Sequence, residues 1–281
     1  MFRLMQIQFQ EWRNKPLVWL GLLLGLNFTF GPTMEFCRIS RDQGEPIQIF
    51  EPYIVIGSSA WDMLFVFLGL VLILADAPFV DALTPSTVMR SSRRQWFLAQ
   101  ILYIASVSCV YYMTLALFSA LVCAGVGYVG NLWSSVLNGI AAGSSAYDRY
   151  LVDFGNVAFL KQHSPTSALL LTIACQFSYG LILELIVFLL NLTWRRAYGI
   201  CVALSIHIIG YVTFLEGIVG LKKLSLMVNA LPAMHGTRFS HSMQASPTWF
   251  ESLLIGLCLT CILIISAMHR ARKFDFYAPT K

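Results

Sequence analysis

Apolar residues in this chain come in long unbroken blocks, unlike the two-residue alternation of strands or the narrow stripes of soluble helices. A helix crossing the hydrocarbon core of a bilayer, about 30 Å thick, needs roughly 20 apolar residues at about 1.5 Å each. Six blocks meet that length, over approximately 16–36, 54–75, 95–128, 166–194, 197–219 and 249–268. The pattern predicts an all-α polytopic membrane protein whose residues 1–281 form a single transmembrane domain with six transmembrane helices. The third block exceeds one crossing, and Gly125, Gly127 and Gly130 mark its exit. Its uncharged continuation to Tyr147, with Leu132, Trp133, Val136, Leu137 and Ile140, suits an interfacial or re-entrant helix. Neither an internal repeat nor a broken helix is visible in the pattern.

Two flanking segments have a different periodicity. Phe2, Met5, Phe9 and Trp12 follow a 3, 4, 3 spacing that places them on one helical face, with Arg3, Gln6, Gln10 and Arg13 largely elsewhere. Residues 1–15 therefore suit an amphipathic helix on the inner membrane surface, or the cytoplasmic start of the first span, since Leu4 and Ile7 interrupt the stripe. The charges Arg3, Glu11, Arg13 and Lys15 ahead of the first block, and the lack of a small-x-small site near its end, favour a first span over a cleaved signal. The segment Leu221 to Pro247 sets Lys222, Lys223, His235, Arg238 and His241 around Leu224, Met227, Val228 and Leu231, the pattern of a short amphipathic helix hairpin at an outer gate.

Composition narrows the class. The 281 residues are 57% hydrophobic and 12% charged with a mean hydropathy of +0.69, which excludes a soluble enzyme and leaves no length for a sizeable soluble domain. The formal charge of +5 comes from basic residues at the ends of apolar blocks, which points to a membrane surface and not to nucleic acid. An N-terminus in the cytoplasm places twelve basic residues inside: Arg3, Arg13, Lys15, Arg90, Arg93, Arg94, Arg195, Arg196, Arg270, Arg272, Lys273 and Lys281. Seven fall outside: Arg38, Arg41, Arg149, Lys161, Lys222, Lys223 and Arg238. The positive-inside rule therefore predicts that both termini are cytoplasmic. Trp12, Trp19, Trp61, Trp96, Trp194 and Trp249 lie where an aromatic belt belongs, although Trp is also a packing residue.

Candidate chemistry is sparse. Six cysteines lie in apolar blocks and Cys37 stands alone near an aqueous loop, so no disulfide framework is expected. The Cys258-x-x-Cys261 pair lacks a second ligand pair and reads as ordinary buried thiols. Glu184 lies 11 residues before Arg195 and His207 lies 11 after Arg196, on the two arms of a tight turn from Trp194 to Ala197. Each then sits about 16 Å into the membrane, where a lone carboxylate costs roughly 2.5–3.5 kcal/mol. A Glu184–His207 hydrogen bond across the hairpin would offset that cost, as part of a substrate pathway or as a structural clasp. Asp62, Glu216 and Glu251 read as interfacial. His235 and His241 have no nearby carboxylate to complete a metal site, and no metal is expected.

The stretch ADAPFVDALTPSTVMRSSRRQWFLAQ, from Ala75 to Gln100, joins the second and third blocks. Thr84 can cap a short cytoplasmic helix that starts at Pro85 and reaches Arg90, followed by a basic break and by Trp96 opening the third span. From composition alone this is a docking helix or a solvated positive-inside loop. Together with the N-terminal helix, it resembles the permease subunits of ATP-binding-cassette (ABC) exporters of the type-2 permease family. These have about six spans, an amphipathic elbow helix and a coupling helix in the first cytoplasmic loop. Asp76-Ala-Pro-Phe-Val-Asp81 stands where many members have an acidic Glu-x-x-x-Gly-Thr stretch.

The resemblance implies ATPase coupling through Pro85, Met89, Arg90, Arg93 and Arg94, and a pathway formed with a second permease chain, identical or related. It also implies a bacterial plasma-membrane location and a peptide or amphipathic, lipid-like cargo. The chain has no G-x-x-x-x-G-K-[ST] phosphate loop, so ATP and magnesium would belong to a separate cytosolic ATPase and this chain would be no enzyme. Two other readings stay open: an intramembrane enzyme using Glu184 and His207, which lacks a G-x-S-x-G or H-E-x-x-H motif, and an ion-coupled carrier built on the same midplane Glu.

Overall fold

The structure, a computed structural model, describes residues 2–10, 12, 15–75, 77–78, 92–194, 196–215, 224–235 and 247–272. Pro85, Met89 and Arg90, with the short helix expected around them, lie outside the described residues, as do Glu216, Arg238 and His241. Among the described residues, five helices are long and apolar enough to cross a membrane. They are α2 (Pro16–Gln43), α5 (Arg93–Cys123), α8 (Pro165–Thr193), α9 (Arg196–Leu215) and α11 (Trp249–Arg272). Apart from one pair of two-residue strands, the regular structure among the described residues is helical.

The second apolar block departs from expectation. It holds two helices, α3 (Glu51–Ser58) and α4 (Ala60–Ile73), bent by 91° at Ser59, and the span count rises to six only if this pair is taken as one. The cause is local. Ser59 is extended, with φ −88° and ψ 119°, and its side chain accepts a hydrogen bond from the Asp62 amide at 3.3 Å, which starts a new helix inside an apolar run. Hydropathy alone is blind to such a cap.

Small residues set a close crossing of α2 and α4. A Cβ on Gly69 of α4 would lie 2.6 Å from the Gly21 carbonyl of α2, and one on Gly25 would collide with the Tyr111 hydroxyl. Gly21 and Gly25, four apart on one face, let the α2 and α4 backbones meet as small-xxx-small pairs do in membranes. Tyr111 of α5 fills the gap and donates to the Val66 carbonyl at 2.8 Å. At the N-terminus, Met5 and Phe9 of α1 (Phe2–Gln10) and the following Trp12 meet α5. The Trp12 indole donates to Tyr103 at 2.6 Å, the Phe9 ring lies 5.0 Å from that of Tyr103, and Ser106 reaches the Met5 sulfur.

The tryptophans divide into two groups. Trp96 is buried and Trp249 is stacked on His235, whereas Trp19, Trp61 and Trp194 are exposed on the bundle surface.

We term the end of the bundle that carries residues 124–164 the outer end, following the orientation expected from the charges. A second apolar core forms there. Phe36 and Ile39 from the last turns of α2 pack with Ile47, Ile54, Val136, Leu137 and Phe159. Strands Ile47–Gln48 and Gly127–Tyr128 pair in parallel, Ile47 opposite Gly127, and α6 (Ser135–Ala141) and α7 (Val157–Gln162) complete the cap. The expected helix beyond Gly130 is thus present as α6, held in a folded cap. Glu51 is completely buried inside it: Oε1 accepts from the Ser134 amide at 2.6 Å, and Oε2 accepts from the Ser134 hydroxyl at 2.6 Å and the Gln48 amide at 3.2 Å. Ser134 in turn caps α6.

At the inner end α8 stops at Thr193 and α9 begins at Arg196. Asn191 clasps this junction. Its Oδ1 accepts from the Gly199 amide at 3.2 Å, and its Nδ2 donates to the carbonyls of Ala75 and Ala77 at 3.2 and 2.6 Å, where the chain leaves α4. Any side chain on Gly199 would collide with Asn191.

Candidate functional site

Thr172, Gln176, Gly180 and Glu184 recur every four residues along α8, so they form one stripe, and they face α3 and α5 instead of lipid. The three with side chains are fully buried. At the outer end of the stripe, Gly57 of α3 sits on Thr172 and Gln176 so closely that a Cβ there would lie 2.6 Å from Gln176 Nε2. Next inward, the Tyr53 hydroxyl donates to Gln176 Oε1, and Gln176 Nε2 lies 3.4 Å from the Met63 sulfur. Tyr112 of α5 then occupies the space above Gly180, its hydroxyl 2.5 Å from where a Cβ would be. One turn further, Glu184 Oε2 meets the Ser108 hydroxyl of α5.

The hydrogen-bond inventory is incomplete here in a specific way. Ser108 has one hydroxyl proton but stands within reach of two acceptors, Glu184 and the Ile104 carbonyl at 2.9 Å. Glu184 Oε1, the Tyr112 hydroxyl and Gln100 Oε1 are buried and have no partner among the described residues. Buried polar groups are rarely left so. The carboxyl therefore has unused capacity in a helix-lined interior, which suits it to accept a proton or a bridging water.

The expected Glu184–His207 hydrogen bond is not formed. His207, buried on α9, is paired elsewhere: Nε2 lies 3.0 Å from the Leu64 carbonyl of α4, and Nδ1 lies 3.0 Å from the Tyr179 hydroxyl. A carbonyl only accepts, which assigns the proton to Nε2 and, in the neutral ring, makes Nδ1 the acceptor of the Tyr179 proton. Phe67 packs edge-on to both rings, at 4.5 Å from Tyr179 and 5.6 Å from His207. The physical reason is angular. Tyr179 lies five residues before Glu184 on α8 and turns toward α9, while Glu184 turns toward α5. The two polar residues thus belong to neighbouring networks that share α8.

Toward the outer end a cleft of about 620 Å³ opens at the α3–α4 break. Ser58, Ser59 and Trp61 line it from the break, and Tyr211 and Phe214 from α9, with Asp153 also in the lining. Its volume lies within the range of small-molecule sites. Nearby, α10 (Leu226–Ala230) and the 3-10 turn Pro232–Met234 form the described part of the expected outer hairpin. His235 follows it, its ring stacked on Trp249 at 3.9 Å. Its Nδ1 faces the Leu231 carbonyl at 3.1 Å and its Nε2 the Ser252 hydroxyl at 2.8 Å, so both ring nitrogens are engaged. Burial holds this imidazole below its ordinary pKa. Among the described residues, no three His, Cys, Asp or Glu side chains gather as metal ligands.

Arg93 and Arg94 stand in the first turn of α5, after a capping box in which Ser92 and Gln95 bond reciprocally at 3.2 Å. Arg93 donates to the Arg272 carbonyl at 2.8 Å, and both arginines line a hollow with Phe97, Met268 and Ala271 of the α11 end. The inner end therefore collects Arg93, Arg94, Arg270 and Arg272. Of the residues singled out from sequence, the structure places Arg93 and Arg94 together at this end and Glu184 and His207 in adjacent buried networks. Tyr53, Ser108, Tyr112 and Gln176 were missed; the recurrence of polar or small residues every fourth position within the fourth apolar block was the available signal. No protein-family model matches the chain, and no curated protein or solved structure does.

Proposed function

We propose that the chain is the membrane-embedded subunit of an ABC exporter of the type-2 permease kind, with six spans, an elbow helix and cytoplasmic termini, working with a separate cytosolic ATPase and a second permease chain. The observation that carries this reading is the inner end of the bundle. There the amphipathic helix α1 is packed along α5, and α5 begins with two arginines directly after the segment assigned to coupling. Positive charge in the first turn opposes the helix dipole by about 0.3–1 kcal/mol each. An acidic surface on an ATPase offsets that cost. The outer cleft, lined by Trp61, Tyr211 and Phe214 together with Asp153, suits an amphipathic cargo.

The test is capture of the ATPase. Tagged protein extracted from its native membrane in mild detergent should bring down a protein with a phosphate loop, and Arg93→Glu/Arg94→Glu or Met89→Asp should lose it while extraction yield and monodispersity stay unchanged. Retention of the ATPase by the Met89→Asp protein, or recovery of none by the wild type, would sink the reading.

A second reading, an ion-coupled carrier, is favoured by the 91° break in the second span and by the unpartnered oxygen of Glu184. Under it, transport collapses with a protonophore and survives ATP depletion. The exporter reading requires the reverse.

A further inference from the structure

All seven cysteines are thiols in the structure, and two of them face each other. Cys37, near the outer end of α2, and Cys123, the last residue of α5, lie 86 positions apart in the chain with their Sγ atoms 3.7 Å from one another. Both are buried, at 1% and 0% exposure. This corrects the expectation that Cys37 stands alone. From this geometry we propose that Cys37 and Cys123 form a disulfide that ties the outer ends of the first and third spans.

Three observations support the bond. The sulfurs, 3.7 Å apart, must come about 1.7 Å closer to reach a bond length near 2.05 Å, a distance of the order that side-chain rotation can cover. Beyond the helix ends, Ile47, ten residues after Cys37, pairs with Gly127, four after Cys123, so the two segments are kept as neighbours by an independent contact. Finally, the charge pattern places both ends on the face away from the cytoplasm, where disulfides form and persist. The inference rests on that orientation and not on the exporter reading.

The chemistry is thiol–disulfide exchange. The Cys37 and Cys123 thiols give up two protons and two electrons as the S–S bond forms. The electrons cleave the disulfide of an extracytoplasmic thiol oxidoreductase, whose two sulfurs take up the protons. Because the finished core buries both sulfurs, exchange precedes closure of the outer cap, and the bond is then shielded from external reductant.

Peptide mapping tests it. Full-length protein purified without reductant is denatured in excess iodoacetamide and digested. The expected result is a cross-linked peptide pair containing Cys37 and Cys123 that separates on reduction, with Cys109, Cys175, Cys201, Cys258 and Cys261 alkylated throughout. Cys123→Ser should expose Cys37 to alkylation in full. In intact protein, strong reductant under partly denaturing conditions should lower the thermal midpoint of the wild type and leave that of Cys37→Ser/Cys123→Ser unmoved. Complete alkylation of both cysteines in unreduced wild-type protein would overturn the proposal, as would a Cys37 that stays unreactive in the Cys123→Ser variant.

Discussion

Two buried glutamates in this molecule meet opposite fates. Glu51, in the outer cap, has both oxygens engaged by three donors from Ser134 and Gln48, and it links α3 to the start of α6. Glu184, inside the bundle, has one oxygen on Ser108 and the other without a partner among the described residues. Their burial is the same, and the difference lies in the donors around them. Backbone amides at a chain turn can saturate a carboxylate, as they do for Glu51. Inside a helix bundle those amides are already spent on helical hydrogen bonds, so only side chains are left to answer Glu184. A saturated carboxylate holds structure, and an unsaturated one keeps capacity for chemistry.

The strongest way to break that contrast is to remove the tie in the cap. Glu51→Ala leaves the Ser134 and Gln48 amides buried without acceptors, at about 1–3 kcal/mol each, so a loss of about 3 kcal/mol is expected in denaturant unfolding. Hydrogen exchange should localise the damage, with protection lost around 134–137 and retained along α8. A stable Glu51→Ala protein would show that the cap does not depend on its carboxylate.

The midplane counterpart is milder in stability. Glu184→Ala should cost about 1–2 kcal/mol and Glu184→Gln less than about 1 kcal/mol, because the amide can still meet Ser108 and interhelical hydrogen bonds in membranes are individually modest. A double-mutant cycle of Glu184→Ala with Ser108→Ala should show coupling of about 0.5–1 kcal/mol, whereas the cycle with His207→Ala should be additive within about 0.5 kcal/mol. Coupling to His207 in place of Ser108 would contradict the two-network arrangement. Transport lost in Glu184→Gln despite retained stability would identify the carboxyl itself as functional.

The smallest effect concerns pH. His235 is held below its ordinary value of about 6.5 by burial, with His163 adding to the depression. A histidine depressed in the folded state binds its proton more readily when unfolded, so its contribution is fully present above about pH 6.5 and is lost as pH falls through the folded value. Acidification from pH 7 to 5 should lower the unfolding midpoint by the equivalent of about 1 kcal/mol or less, and His235→Gln should flatten that slope. The cap should loosen first, since His235 sits on Trp249 at the outer end.

What was legible in the sequence followed from one-dimensional pattern. Block lengths located five helices long and apolar enough to cross a membrane, the break between the fourth and fifth blocks falls between Thr193 and Arg196, and the spacing of Met5, Phe9 and Trp12 identified a face that meets α5. What escaped depends on partners far apart in the chain. The bend at Ser59 lay in a Ser59-x-x-Asp62 cap hidden by apolar neighbours. Nothing in the sequence singled out Glu51, because Ser134, its partner, is 83 residues away. Glu184 and His207 were paired by equal depth, which fixes height in the membrane but not direction around a helix. The expectation of buried Cys258 and Cys261 failed for the same reason: both are exposed on the protein surface of α11, a helix whose apolar residues face mainly outward.

The bend at Ser59 also bears on the lipid around the protein. With 14 residues, α4 is about 21 Å long, while its close neighbour α2, with 28, reaches about 42 Å. Only α2 matches or exceeds a hydrocarbon layer of about 30 Å, and its surplus turns are absorbed in the outer cap. Wherever lipid meets α4, the bilayer would have to thin or draw the polar Ser58 and Ser59 below its surface, and such deformation costs fractions of a kcal/mol per Å. In that contact, short-chain lipids would match α4 better, and long-chain lipids would bear on the bend where the outer cleft opens.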